Sequence, residues 1–249
     1  MSGGLALALP RRVAPEALDD LLPDDPRARG ARRDLLRVHR AMGTRGILVR
    51  ALRALPLAAP RERARDGPLR LVELGCGDGR LLLRVARSLG WGPVSLTLLD
   101  RQAAVEASTL EAYRALGWEP RLEVTDVFDW ARAPIDAEAR ADVVVTSLFL
   151  HHFEPRSLET LLALVAARTN AFVAYEPRRS RLALAGSHLV GALGANAVTR
   201  ADAVLSVHAG FRGDELTTLW PHASGWSIEE RGAGPFGHLL CAVWSGDGG

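Results

Sequence analysis

Residues 71–90 read LVELGCGDGRLLLRVARSLG. An apolar run ends at Leu74, an amphipathic run begins at Arg80, and Gly75, Gly77 and Gly79 alternate between them, with Glu73 and Asp78 as acids. Three missing Cβ atoms at the join of a strand and a helix leave bare backbone for something to lie against. The same glycines also suit a plain strand–helix turn, so the surroundings must decide.

Working outward, short apolar runs recur at LRLVEL, VSLTLLD, RLEVTDV, ADVVVTSLFL and AFVAYEP. Between them lie the helix-like stretches GRLLLRVARSLG, RQAAVEASTLEAYRALG and EPRSLETLLALVAART. Alternating buried-type strands and helices predict a parallel sheet wound on both faces. The tail, WSIEERGAGPFGHLLCAVWS, reads as two strands joined by a Gly/Pro turn. The expected fold is therefore α/β: a doubly wound, mostly parallel seven-stranded sheet with a terminal antiparallel hairpin. Residues 1–67 differ, with Leu35, Val38, His39 and Met42 on one helical face and Ile47, Ala51 and Leu55 on another. They predict a helical extension or lid, interrupted at Gly43 and Gly46, with RERARDGP (61–68) as a linker before the main domain, 68–249.

In a doubly wound sheet, ligands bind beyond the carboxyl ends of the strands, where the strand order reverses. A dinucleotide fingerprint would need G-x-G-x-x-G, but Arg80 fills the third small position and the glycines run G-x-G-x-G. Negative charge from Glu73 and Asp78 is wrong for a pyrophosphate and suits a ligand with cationic groups, such as an amino group and a sulfonium. Asp100 closes the second strand 21 residues after Gly79, where a carboxylate can take both hydroxyls of a ribose.

With E-L-G-C-G-D-G after a strand, an acid ending strand two, D-V-F after strand three and an apolar fourth strand, residues 68–245 resemble the class I S-adenosylmethionine-dependent methyltransferases. The resemblance implies that Glu73, Gly75, Cys76, Gly77 and Asp78 hold the methionine portion and Asp100 the ribose. It puts Asp126 and Val127 at the adenine, Leu148 along the methyl-donor pocket, and Arg101 against the adenine where many relatives carry an apolar residue.

His151 and His152 directly follow the fourth strand, at the end of the sheet where the donor methyl points. One of them, His152 by preference, is a candidate general base for a phenol, whose pKa of ~10 keeps it protonated at neutral pH. The alternative is that a histidine caps the following helix. The segment at about 177–222 is longer than a crossover needs. With the strand end before it, it scatters Glu176, Arg178, His188, Asn196, Arg200, Asp202, His208 and Arg212 among small residues. As a group these are a candidate acceptor pocket, though each also serves readily as a structural residue.

The pattern EPRR…VTRADAVLSVHAGF…ELTTLWP is similar to small-molecule methyltransferases of the ubiquinone/menaquinone type and to those accompanying type III polyketide synthases. That likeness implies a phenolic or quinol acceptor, alkylated or polyketide-derived, and O-methylation more than C- or carboxyl-methylation. A donor-binding domain without catalysis stays open as an alternative.

Composition narrows the classes. The chain has 31 basic residues, all arginine, against 29 acidic ones. Without lysine there is neither a Schiff base nor a Walker-type phosphate lysine. Asp-Pro-Pro-Tyr-type and Pro-Cys motifs are also missing, so nucleic acid is not the expected substrate. Cys76 and Cys241 are too few for a cysteine-based zinc site or a disulfide framework, which fits a reducing, cytoplasmic setting, and no metal is expected. The LALAL run near the N-terminus lacks a basic region, and no stretch approaches ~20 apolar residues, so neither a signal peptide nor a membrane span is expected. A homodimer is left open.

Overall fold

The computed structural model describes residues 9–57, 67–134, 140–221 and 225–246. All of the LALAL run but Leu9, and most of the expected linker, lie outside the described residues. Seven strands form one sheet: β1 (Leu69–Leu74), β2 (Val94–Asp100), β3 (Trp118–Val124), β4 (Val143–Ser147), β5 (Ala171–Pro177), β6 (Trp226–Ala233) and β7 (Gly237–Trp244). Their order is β3-β2-β1-β4-β5-β7-β6. β1 to β5 run parallel, while β7 pairs antiparallel with both β5 and β6. The chain moves outward from β1 to β3 and then returns to β4 on the other side of β1. The strand order thus reverses between β1 and β4, and the ends of these two strands frame a crevice.

Helices α1 (Ala17–Asp20), α2 (Pro26–Met42) and α3 (Thr44–Arg53) precede the sheet. The crossovers carry α4 (Arg80–Leu89), α5 (Ala107–Arg114), α6 (Val127–Arg132) and α7 (Pro155–Ala166). Between β5 and β6 come α8 (Arg181–His188), a short 3-10 turn (Val190–Leu193), α9 (Ala197–Ala209) and α10 (Glu215–Leu219).

Two apolar layers sandwich the sheet. On one face Ile47, Leu48 and Leu52 of α3 join Leu82 and Val85 of α4 over Leu71, Leu96 and Val173. On the other, Leu158, Leu161 and Leu162 of α7 and Trp220 cover Val72, Val144 and Phe172. Strands β4 and β5 are buried at nearly every position because both faces are covered.

Three boundaries differ from the sequence reading. Gly46 does not break a helix: α2 stops at Gly43 and α3 resumes at once. The stretch 101–117 is helical only over Ala107–Arg114, because residues 101–106 pass over the crevice first. β3 starts three residues earlier than RLEVTDV, at Trp118, and takes in Pro120. An edge strand tolerates a proline because only one of its sides must donate.

The N-terminal helices are tied to the segment between β5 and β6 by buried acids. Asp34 of α2 accepts from the Asn196 backbone N–H at 2.8 Å and pairs with Arg37. Asp202 of α9 accepts from the backbone N–H groups of Ala17 and Leu18, at 2.9 and 3.1 Å, and so caps α1.

Candidate active site

At the end of β1 the chain turns through Gly75 (φ 65°) and Gly77 (φ 55°) into α4. A Cβ on Gly75 would overlap the Phe149 ring, whereas one on Gly77 would meet nothing within 4 Å and would point into open space. Gly75 is thus a packing requirement and Gly77 a vacancy kept beside a cavity. Asp100, at the end of β2, fastens the turn: one oxygen accepts from Gly77 N–H and the other from Gln102 N–H, each at 2.9 Å. Each oxygen retains a lone pair for a further donor.

Beside this turn lies a cavity of ≈ 560 Å³. Glu73, Gly75, Cys76, Gly77, Asp78, Asp100, Arg101, Asp126, Val127, Leu148, His151 and His152 all line it. The structure therefore brings together every residue expected at the donor, with both histidines. Asp126 caps α6 by accepting from Phe128 N–H at 2.8 Å. Burial raises the Asp78 and Asp100 carboxyls above their ordinary values. Burial, then Asp78 and Asp100, push Glu73 much further, and its Oε2 has no partner. A buried acid of this kind invites a cation. Burial also raises the Cys76 thiol, which leaves it a neutral wall rather than a nucleophile.

The β4 end is built around Glu176. Its carboxylate accepts from the backbone N–H groups of Phe149 and Leu150, at 3.0 and 2.9 Å, and more distantly from that of His151. Leu148, just before, adopts φ 55°, the one positive φ outside glycine among the described residues, and its N–H donates to Tyr175 O. This turn aims Leu148, Phe149 and both histidines at the cavity. Glu176 is fully buried and lines neither the ≈ 560 Å³ cavity nor a smaller one of ≈ 150 Å³, so its place among the acceptor residues is corrected to turn support.

His151 lies between two acids: Nδ1 is 2.8 Å from Glu176 Oε2 and Nε2 is 3.2 Å from Glu16 Oε1. Burial lowers its pKa, but the bonds to Glu16 and Glu176 overcome this and raise it to about 9. It is therefore an imidazolium at neutral pH. His152 differs: its side chain is 22% exposed and its Nδ1 lies 3.2 Å from Asp19 Oδ2. Glu16, His151 and His152 bring ligand-type atoms within 4.8 Å of one another, but the protonated His151, with both nitrogens on carboxylates, has no lone pair to give a metal.

Other expected acceptor residues go elsewhere. Arg178, Arg200 and Arg212 are exposed. Asn196 caps α9, and His188 and His208 line neither cavity described here. Only Asp202 reaches an apolar cavity, and there it caps α1. These polar residues serve helix ends and surface because the small residues between them form the wall. The sequence reading missed Glu16, Asp19 and Gln102. Gln102 donates to the carbonyls of Asp19 and Leu21, which draws the N-terminal segment over the crevice.

Residues 71–170 match the family model described as a methyltransferase domain. The match takes in the glycine turn and the acid ending β2, so this stretch of the chain is similar to a methyltransferase domain. No curated protein matches its sequence. The stretch and its flanking helices superpose on solved structures at low identity, which shows the shared fold. The plantazolicin methyltransferase BpumL in complex with SAH is 14% identical, with TM-score 0.58, covering 91% of this chain and 94% of that one. An O-methyltransferase family protein from Burkholderia thailandensis is 18% identical, with TM-score 0.56, covering 90% and 62%. Magnesium protoporphyrin IX methyltransferase from Synechocystis PCC 6803 with bound SAH is 15% identical, with TM-score 0.51, covering 84% and 87%.

Proposed function

We propose that the protein transfers a methyl group from S-adenosylmethionine to the hydroxyl of a small aromatic acceptor with a largely apolar body. The observation that carries this reading is a second cavity, ≈ 150 Å³, that shares Glu16, Leu18, Leu35, Leu148 and Ser206 with the larger one. Val38, Met42, Val190, Val207 and Phe236 are among its apolar walls. A polar cavity that carries the two histidines thus adjoins a greasy chamber across shared walls.

The residues fit the donor. Open space at Gly77 accommodates an amino-acid chain, the unpartnered Glu73 oxygen meets a cation, and Asp100 has lone pairs for ribose hydroxyls. Bound there, S-adenosylmethionine supplies an electrophilic methyl on a positively charged sulfur. Asp126 and Val127 are placed to hold its base, and Leu148 to shape the wall near its methyl.

His152 takes the acceptor's proton. Asp19 holds Nδ1–H, which leaves Nε2 to receive a proton from the hydroxyl. His151 does not compete, because both of its ring nitrogens face carboxylates and it is already protonated. Its role is to keep the turn rigid and to stack against His152, ring centres 4.3 Å apart. Apolar walls exclude water from the transfer, so orientation supplies much of the acceleration. The shared fold of the plantazolicin and magnesium protoporphyrin IX methyltransferases supports a small-molecule acceptor.

The test is binding followed by turnover. Calorimetry should show adenosylhomocysteine bound and NAD not bound, and labelled methyl should appear on oxygen when alkylated phenols are supplied. Methyl found on carbon or carboxylate would replace the acceptor chemistry. Absence of adenosylhomocysteine binding would overturn the reading.

A further inference from the structure

Residues 177–201 hold Arg178, Arg179, Arg181 and Arg200 and no Asp or Glu, in a chain whose acids and bases otherwise nearly balance. Arg179 is buried against Glu215 and the carbonyls of Leu9 and Gly210, while the other three are exposed. The same segment exposes Leu182 at 60%, Leu189 at 67% and Leu193 at 43%. Leu182 and Leu189 are seven residues apart, so they lie nearly in line on α8 and its end. Exposed leucines of this size are unusual here: among the described residues the other large apolar side chains so exposed are Leu22 and Val124.

The adjoining side of this segment is the wall of the apolar chamber. Ala183, Gly186, Ser187 and Val190 line it, and Leu193 does so while also reaching solvent. Leu193 therefore stands at the rim, with the chamber on one side and the exposed leucines on the other. A segment with exposed leucines and arginines, without acids and adjoining an apolar chamber, has the chemistry of an interfacial element that meets anionic lipid. No described helix is long and apolar enough to cross a membrane, so the contact would lie in the interface plane.

We propose that α8 and the following turn dock on an anionic lipid surface through Leu182, Leu189 and Leu193, with Arg178, Arg181 and Arg200 against the headgroups, so that the chamber takes its acceptor from the lipid phase. This rests on the reading of the chamber as the acceptor site. A second copy of the chain is the competing occupant. The arginines argue against it, since a self-pairing face would set like charges against each other.

The experiment is co-sedimentation of the full chain with phosphatidylglycerol/phosphatidylcholine vesicles and with phosphatidylcholine alone. Binding is expected to the anionic vesicles, weakened by salt, and lost by about tenfold or more in L182S/L189S. R178Q/R181Q should weaken binding to anionic vesicles and leave adenosylhomocysteine affinity unchanged. Both leucines are exposed and line neither the donor cavity nor the apolar chamber, so thermal midpoint and adenosylhomocysteine affinity should hold in the leucine variant. Equal binding by L182S/L189S, no binding by the native chain, or a native dimer that this variant makes monomeric would overturn the proposal. Vesicle binding without methyl transfer would sink the functional reading alone, and methyl transfer without vesicle binding would sink this one alone.

Discussion

Glu176 Oε2 and His151 Nδ1 lie 2.8 Å apart with neither side chain open to solvent. The pair joins β5 to the turn after β4, and Glu16 extends it to the N-terminal segment. Because the acids hold His151 protonated to about 9 against an unfolded value near 6.5, its contribution to stability is complete below 6.5. It is lost as pH rises through 9. Thermal midpoints measured from pH 6 to pH 10 should fall over that window, and H151Q should flatten the fall. A midpoint that rises between pH 6.5 and 9 would contradict the assignment.

Removing one partner has a larger effect. E176Q leaves a buried imidazolium short of one carboxylate and three backbone N–H groups with a weaker acceptor. Breaking a buried pair this way costs about 3–5 kcal/mol. Urea unfolding should show a loss of that size, and E16Q, at the more open end of the pair, a smaller one.

Asp19 and His152, 3.2 Å apart, are the dyad we propose to take the acceptor's proton. H152Q should lower kcat by about 10²–10⁴-fold with little change in adenosylhomocysteine affinity. D19N should lower kcat by roughly 10–100-fold, since it disturbs only the orientation of the ring. Raising pH should rescue part of the H152Q loss if the acceptor ionises in solution. Normal kcat in both variants would remove His152 from the chemistry.

The first two glycines of the turn, Gly75 and Gly77, differ in what a side chain there would meet. G75A places a methyl group on the Phe149 ring and should destabilise the fold by about 1–3 kcal/mol. A Cβ at Gly77 meets nothing within 4 Å, so G77A should weaken adenosylhomocysteine binding by about tenfold to a hundredfold, while its φ of 55° adds a strain of about 1–2 kcal/mol to the fold. Comparing unfolding midpoints with calorimetric affinities tests the split.

How legible this was in the sequence depended on locality. The glycine turn, Asp100, Asp126 and the histidine pair each follow a strand, so strand periodicity alone set them at one edge of the sheet. Glu16 and Asp19 are distant from that edge in the chain and sit in an acid-rich stretch, APEALDDLLPDD, whose spacing resembles any solvated helix. Only tertiary folding, through Asp202 and Gln102, carries them to the histidines. Glu176 was visible as a strand-end acid, but its direction, inward to the backbone of a turn, depends on the register of β4 and β5. Polar residues between β5 and β6 misled for a related reason: a chamber for an apolar ligand is walled by alanine, valine and leucine, which composition cannot tell from core.

Glu73 offers the last test. Burial, with Asp78 and Asp100 nearby, pushes its carboxyl well above the ordinary carboxylate range, and its Oε2 has no hydrogen-bond partner. A cationic donor placed against it favours the charged form, so the acid must lose its proton as the ligand binds. Calorimetry in buffers of different ionisation enthalpy should therefore show proton release on S-adenosylmethionine binding near neutral pH, of up to about one proton per site. E73Q should abolish the release and weaken the donor, while leaving the unliganded fold nearly as stable, because a neutral amide replaces a neutral acid of similar shape. Proton uptake on binding, or release undiminished in E73Q, would place the cation elsewhere in the cavity.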